Sequence, residues 1–305
     1  MTRAIKNFIL HILRKLHPER EKTLVLLGRD KAFAVSEKSS LETLSDAEFR
    51  VFSQYGEDGI IQYLISRIKV PNKIFIEFGV ENYLESNTRF LLINNNWSGM
   101  VMDACRSNIN FIKKDPISWR HDIRALHALI TKDNINDLIR QYTSEEDIGL
   151  LSIDIDGNDY WVLKAIDTVR PRILICEFNN IFGAEHPVTI PYDPSFQRRK
   201  AHYSDLYFGA SLKAIYDLAV SKGYVLAGVN SSGINAFFIR KDIAGSLRRY
   251  TPEEIYFASK IRESRNVQGK LSFLSGGERL YEIRDMPVMY IPTQQLVTIK
   301  ELYQL

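Results

Sequence analysis

Apolar and polar positions change period several times along the chain, and each change marks an element. Ile5, Phe8, Ile9, Ile12, Leu13 and Leu16 recur at helical spacing with Arg3, Lys6, Arg14 and Lys15 on the other face, which predicts an amphipathic helix within residues 1–20. Ile60, Ile61, Leu64, Ile65 and Ile68 form a second helical stripe, closed by Pro71 and Asn72. From about residue 53 onward, short β-branched or aromatic runs alternate with helical patterns. Strands are predicted over 73–78 (KIFIEF), 99–103 (GMVMD), 117–122, 148–154 (IGLLSID) and 173–178 (ILICEF), with a helix over 87–95 after the first. Such alternation is that of a parallel sheet covered on both faces, an α/β fold. Residues 179–207 hold Pro187, Pro191 and Pro194 without a period and read as a long loop of the kind that covers sites. A helix through Leu212, Ile215, Tyr216 and Ala219 stops at Gly223. The runs 224–229 (YVLAGV) and 234–240 (INAFFIR), joined by Asn230, Ser231, Ser232 and Gly233, then predict an antiparallel hairpin. A helix over 252–265 and a weakly patterned tail follow. The chain divides into a basic amino-terminal helix and linker (1–50), an α/β domain (51–245) and a carboxyl-terminal extension (246–305).

Composition fits this outline: 305 residues, 45% apolar and 25% charged, exclude a disordered tail or a collagen-like fibre. No apolar run approaches the length that crosses a bilayer, and the amino end lacks the order of a secretory signal, so a cytoplasmic protein is expected. Cys105 and Cys176 are far apart and form no CxxC, which leaves neither a disulfide framework nor a zinc site. The charge is uneven. Six cations against two anions in residues 1–22 give +4 of a net +3, so the remainder is nearly neutral at −1. A nucleic-acid partner is not expected, because no stripe of cations runs over the body. The basic helix suits a peripheral contact with an anionic inner-membrane surface, or docking on its own domain or on a second subunit in a homo-oligomer.

Ligands of open parallel sheets sit at the carboxyl ends of the strands. There the sequence places acids: Glu77 and Glu81 after the first strand, Asp103 closing the second, Asp122 read as closing the third, Asp154 and Asp156 after the fourth, and Glu177 in the fifth. The first loop, Glu77-Phe78-Gly79-Val80-Glu81-Asn82-Tyr83, has one glycine where a dinucleotide fingerprint needs three, and Glu81 would repel a phosphate. Opposite charges about 4 Å apart at an effective dielectric near 20 attract by about 4 kcal/mol, so the sign favours a cation. S-adenosylmethionine has that sign. Its sulfonium and ammonium suit Glu77, Gly79 and Glu81, its ribose diol suits Asp103, and its adenine amino group suits Asp122. An NAD(P)-dependent oxidoreductase is the alternative that this loop disfavours, and a non-catalytic adaptor with the same fold, recruited to a membrane, is a third.

Five segments carry a resemblance: SQYGEDG at 53–59, IEFG at 76–79, SNT at 86–88, LSIDIDGNDY at 151–160 and NAFFIR at 235–240. Together they are similar to bacterial FkbM-like and related sugar methyltransferase-fold proteins, over residues 50–242. The resemblance implies a Rossmann-like class I methyltransferase fold, a mostly parallel sheet ending in an antiparallel hairpin. It also implies S-adenosylmethionine as cofactor and O-methylation of a sugar hydroxyl in glycan or polysaccharide biosynthesis. The chain departs from the pattern at Glu81-Asn82-Tyr83, where such proteins commonly show an acid followed by glycine.

The densest chemistry is Asp154-Ile155-Asp156-Gly157-Asn158-Asp159. On a strand Asp154 and Asp156 share a face, and Gly157 lets the chain turn so that Asp159 converges. With Glu177 these would hold Mg²⁺, which binds hydroxyl oxygens and lowers their pKa. The other reading has Asp154 capping the next helix, Asp156 bonding backbone amides and Asp159 solvated, without metal. Asp156, Asp154, Glu177 and His186 are the candidate bases, His186 from the long loop. Aromatics of that loop, Tyr192, Tyr203 and Tyr207 among them, could stack on sugar rings. Gln54 and Tyr55 are candidate lid contacts.

Overall fold

In the computed structural model, residues 18–305 and Ile5 are described. The amphipathic helix read over residues 1–20 therefore lies, up to residue 17 and apart from Ile5, outside the described residues. Among the described residues the strands are β1 (Ile74–Phe78), β2 (Ser98–Asp103), β3 (Ile123–His127), β4 (Leu150–Ile153), β5 (Ile173–Glu177), β6 (Val188–Thr189), β7 (Tyr224–Val229), β8 (Asn235–Arg240), β9 (Pro287–Tyr290) and β10 (Gln295–Thr298). Helices before and within the large sheet are α1 (Pro18–Ser36), α2 (Glu57–Arg67), α3 (Arg89–Asn95), α4 (Arg106–Lys114), α5 (Ile117–Arg120), α6 (Ile135–Arg140) and α7 (Asp159–Ala165). Those that follow are α8 (Arg198–Ala201), α9 (Leu212–Ser221), α10 (Pro252–Ile255), α11 (Gly277–Glu282) and α12 (Ile299–Tyr303).

Seven strands form one sheet in the order β3-β2-β1-β4-β5-β8-β7. The first five are parallel, whereas β8 runs antiparallel to β5 and β7 antiparallel to β8. That order, with one reversed strand inserted beside the fifth, is the Rossmann-like class I methyltransferase fold. Both faces are covered, so the inner strands are mostly apolar and alternate between two cores. Phe75, Val101, Leu150 and Phe237 pack under α2, α3 and α4. Ile76, Met100, Leu151 and Phe238 face α6, α7 and α9 on the other side. Burying Ile60, Ile61 and Leu64 of α2 stabilises the first face by about 1.5–3 kcal/mol each.

Three predicted elements are corrected. The third strand is not 117–122. Ile117–Arg120 is the helical turn α5, entered through Asp115, whose Oδ1 accepts from the Ile117 amide at 3.0 Å, and Pro116, and the strand begins at Ile123. The helix read over 252–265 is a single turn, Pro252–Ile255, capped by Thr251 and Glu254. The tail contributes β9 and β10, which pair antiparallel, and β9 pairs with β6 of the long loop. This three-stranded sheet has its own apolar cluster, in which Phe182, Val188, Leu206, Ile283, Val288 and Ile299 meet. It fastens the 179–207 loop beside the mouth of the large sheet.

Candidate functional site

At the carboxyl ends of β1 and β4 two loops approach each other closely. Gly79 follows β1 at φ 72° and its amide donates to the Met102 carbonyl at 2.9 Å. A Cβ on Gly79 would lie 1.6 Å from the Asp154 carbonyl oxygen, so no side chain fits where the two loops meet. Left-handed backbone is also taken by Glu81 (φ 47°), Tyr83 (φ 63°), Asp156 (φ 57°) and Asp205 (φ 61°), conformations that cost a non-glycine residue about 1–2 kcal/mol each.

Glu77 is buried, and its carboxylate closes the β1 loop on itself. Oε1 accepts from the Asn87 amide at 2.8 Å, and Oε2 accepts from the Thr88 amide at 3.1 Å and the Thr88 hydroxyl at 2.5 Å. Burial outweighs these three donors and pushes its pKa up to about 7. Glu77 is therefore a positioning residue for 86–88, not a group presented to a ligand. Asn87 in turn donates from Nδ2 to Ser152 Oγ of β4 at 3.1 Å. Asp103 closes β2 as read, and its Oδ1 accepts from the Cys105 amide at 2.7 Å and Asn108 Nδ2 at 3.0 Å. Glu81 is exposed on the loop. Asp122 is a correction: it precedes β3, at the amino end of the strand, with its carbonyl accepting from Gly99. It lies at the wrong end of the sheet to meet an adenine. The residue that closes β3 is His127, in register with Asp103, and its Nε2 is 3.0 Å from the Ala104 carbonyl.

Among the described residues the structure brings Asp154, Asp156 and Glu177 together, one carboxylate oxygen from each lying within 4.8 Å of the others. Burial raises the pKa of Asp154 and Glu177 well above their ordinary values, the neighbouring acids push the same way, and Arg198 opposes. Glu177 Oε2 is buried without a hydrogen-bond partner. A carboxylate oxygen left so accepts a proton or a ligand. Asp159 does not belong to the cluster: its oxygens accept from the Ile155 and Gly157 amides at 2.8 and 2.9 Å, shaping the turn that places Asp156. It is spent on the backbone, and burial pushes its pKa up to about 6. His186 is a second correction. Its ring lies 4.9 Å from that of Tyr303 in α12, edge to face, and its carbonyl accepts from Ser211 Oγ, so it belongs to the three-stranded sheet.

Sequence reasoning missed Arg198. Its Nη1 donates to Asp156 Oδ1 at 2.7 Å, its Nε to the Asp205 carbonyl at 2.7 Å, and its guanidinium lies 3.6 Å from the Phe208 ring centroid. Burial alone would lower its pKa, but the Asp156 and Glu177 charges outweigh that and raise it. The loop also closes over Gly157, where an added Cβ would lie 2.3 Å from Phe196. The sequence signal was weak: Arg198-Arg199-Lys200 reads as a solvated run. Two resembling segments meet here as well. Glu57 of SQYGEDG is buried and its Oε1 accepts from Asn230 and Asn235 Nδ2 at 2.6 and 2.9 Å. Asn235 opens β8 directly beside Glu177. Tyr55 is half-buried at this seam, its pKa raised by burial and by Glu57, Glu85, Glu263 and Glu177.

No protein-family model matches the chain, and no curated protein matches it. Among solved structures it is similar to the N-terminal domain of EvdMO1 with SAH bound, at 8% identity, covering 69% of this chain and 94% of that one with a TM-score of 0.39. It is also similar to a SAM-dependent methyltransferase from Aquifex aeolicus, at 7% identity, 61% and 90% coverage and a TM-score of 0.36. A third is an S-adenosylmethionine-dependent methyltransferase from Clostridium acetobutylicum, at 10% identity, 60% and 89% coverage and a TM-score of 0.39. No described helix is long and apolar enough to cross a membrane.

Proposed function

We propose that this protein is an S-adenosylmethionine-dependent O-methyltransferase acting on a sugar hydroxyl of a glycan or glycan precursor. The observation that carries the reading is the Asp154, Asp156 and Glu177 cluster at the carboxyl ends of β4 and β5, with an unpartnered oxygen on Glu177. The donor set around Gly79 fits the cofactor: Glu81 and Asp103 offer carboxylates, and one glycine cannot cradle a diphosphate. Gly79, Glu81 and Asp103 would hold the cofactor, which supplies an electrophilic methyl group when bound. Glu77 fixes the loop that shapes this pocket.

At the cluster, half-buried Asp154 and buried Glu177 crowd one another, which favours their protonated forms, and Glu177 Oε2 is the atom at which an acceptor hydroxyl can leave its proton. Asp156 fixes Arg198 across the opening, and Arg198 on Phe208 helps the long loop exclude water. The oxygen-only donor set also fits a hard divalent cation such as Mg²⁺, held by Asp154, Asp156 and Glu177; its charge would favour the alkoxide form of a diol. Arg198 is then its competitor for Asp156.

The test is transfer of a labelled methyl group from S-adenosylmethionine to a panel of glycosides and cell-envelope glycans. Turnover on a sugar, lost in Glu177→Gln while S-adenosylhomocysteine still binds, is the expected result. Cofactor binding without transfer to any glycan would move the acceptor to another class.

A further inference from the structure

Away from the acidic mouth lies a cavity of about 400 Å³ beside β7, between the last turn of α2, residues 39–44 and residues 244–250 after β8. Glu57 opens α2 at the mouth and Arg67 ends it at the cavity, ten residues later, a separation of about 15 Å along the helix axis. Its lining is opposite in sign to the mouth. Arg67 and Arg248 face it together with five serine and threonine hydroxyls, and no carboxylate lines it among the described residues.

Both guanidiniums are held in place without being neutralised. Arg67 lies over the Tyr63 ring at 5.3 Å, donates from Nη2 to the Ser36 carbonyl, and keeps a buried Nε with no hydrogen-bond partner. Arg248 lies over the Tyr250 ring at 4.8 Å and donates from Nη1 to the Glu42 carbonyl at 3.3 Å, which also accepts from the Tyr250 hydroxyl at 2.7 Å. Neither forms an ion pair among the described residues, whereas Arg89, Arg172, Arg198, Arg240 and Arg265 each reach a carboxylate. The nearby acids Glu42 and Asp46 are exposed, and Asp46 already accepts from the Thr43 amide at 2.9 Å.

We propose that this cavity is a binding site for a phosphate-bearing ligand. Planar guanidiniums with unspent N–H donors, ringed by hydroxyls, match phosphate oxygens, and each charge-assisted hydrogen bond is about twice as strong as a neutral one. The cavity lies within the range of about 300–1,000 Å³ in which small-molecule sites fall, which leaves space for a group beyond the phosphate. The group comes from a soluble phosphate ester or from a lipid headgroup. The inference stands independently of the methyltransferase reading.

Calorimetric titration of the full chain with inorganic pyrophosphate at low salt tests it. Saturable one-to-one binding is expected, weakened at least tenfold in Arg67→Ala/Arg248→Ala and also in Arg248→Ala alone, which leaves the α1 contact of Arg67 in place. An unchanged melting temperature in Arg248→Ala shows that its loss is not unfolding. Co-sedimentation with phosphatidylglycerol vesicles is the second arm: arginine-dependent sedimentation without pyrophosphate binding assigns the site to a lipid headgroup. Pyrophosphate and vesicles both failing to bind, or both binding the double variant as tightly as the wild type, would overturn the proposal.

Discussion

Two groups of carboxylates crowd the same end of the sheet and do different work. Glu77 and Asp159 are buried and spend both oxygens on donors of their own loops, and Asp58 spends one of its two. Asp58 Oδ2 alone accepts from the amides of Val51, Phe52 and Ser53 at 2.7–2.8 Å. Asp154, Asp156 and Glu177 instead converge on one another and retain acceptor capacity. The first group holds loops in shape, and the second is the one we propose for ligand contact. Position at a strand end therefore does not distinguish structural from chemical acids. Convergence of several carboxylates on one point, seen for Asp154, Asp156 and Glu177, does.

The largest effect separating the two groups is expected at Glu177. Glu177→Gln should lower methyl transfer by about two to four powers of ten with cofactor affinity within a few-fold of wild type. Activity within tenfold of wild type would place Glu177 with the loop-holding acids. Next is Gly79→Ala, which combines the clash with the Asp154 carbonyl and a φ of 72°. It should cost about 2–5 kcal/mol and lower the melting temperature by on the order of 10 °C. A melting temperature unchanged within a degree would mean that the two loops can separate freely.

The loop-holding acids should show themselves in the pH dependence of stability. Glu77 is raised from 4.5 to about 7, and Asp58 and Asp159 from 3.8 to about 6. The folded chain thus binds more protons than the unfolded chain between about pH 4 and 7, so these groups reduce stability as pH rises through that window. Glu77 contributes up to about 3 kcal/mol of that slope, at about 1.4 kcal/mol per unit. Denaturation of Glu77→Gln from pH 4.5 to 8 should give a shallower fall than wild type, and an identical slope would show that Glu77 is ionised throughout. The smallest effect is expected at Arg198. Arg198→Ala should change stability by no more than about 1 kcal/mol, because Asp156 is exposed, yet tighten Mg²⁺ binding several-fold in calorimetry. Equal Mg²⁺ affinity would mean that the cluster does not take the cation.

The fold was largely legible because its signals are local. The apolar runs of β1, β2, β4, β5 and the β7–β8 hairpin stand where their periodicity placed them, within a residue or two. β3 slipped because Ile117 and Trp119 resemble strand residues, although Asp115-Pro116 is a helix-start signal that outranks them. The small sheet was invisible for a different reason: Val188-Thr189 pairs with Met289-Tyr290 across about a hundred residues, and no short-range pattern announces that contact. At the site, the sequence placed Asp154, Asp156 and Glu177 together but could not tell them from Asp159, whose amide partners depend on the turn at Gly157. Arg198 lies 42 residues from Asp156, and only the folded loop joins them.

The central claim is that the mouth of the sheet at Gly79 accepts a cationic sulfonium cofactor and not a dinucleotide. Calorimetric titration with S-adenosylhomocysteine, with NADH as the competing ligand, tests it most directly. One site per chain for S-adenosylhomocysteine, abolished in Asp103→Ala and absent for NADH, is the predicted result. Binding of NADH, or of neither ligand, would contradict it.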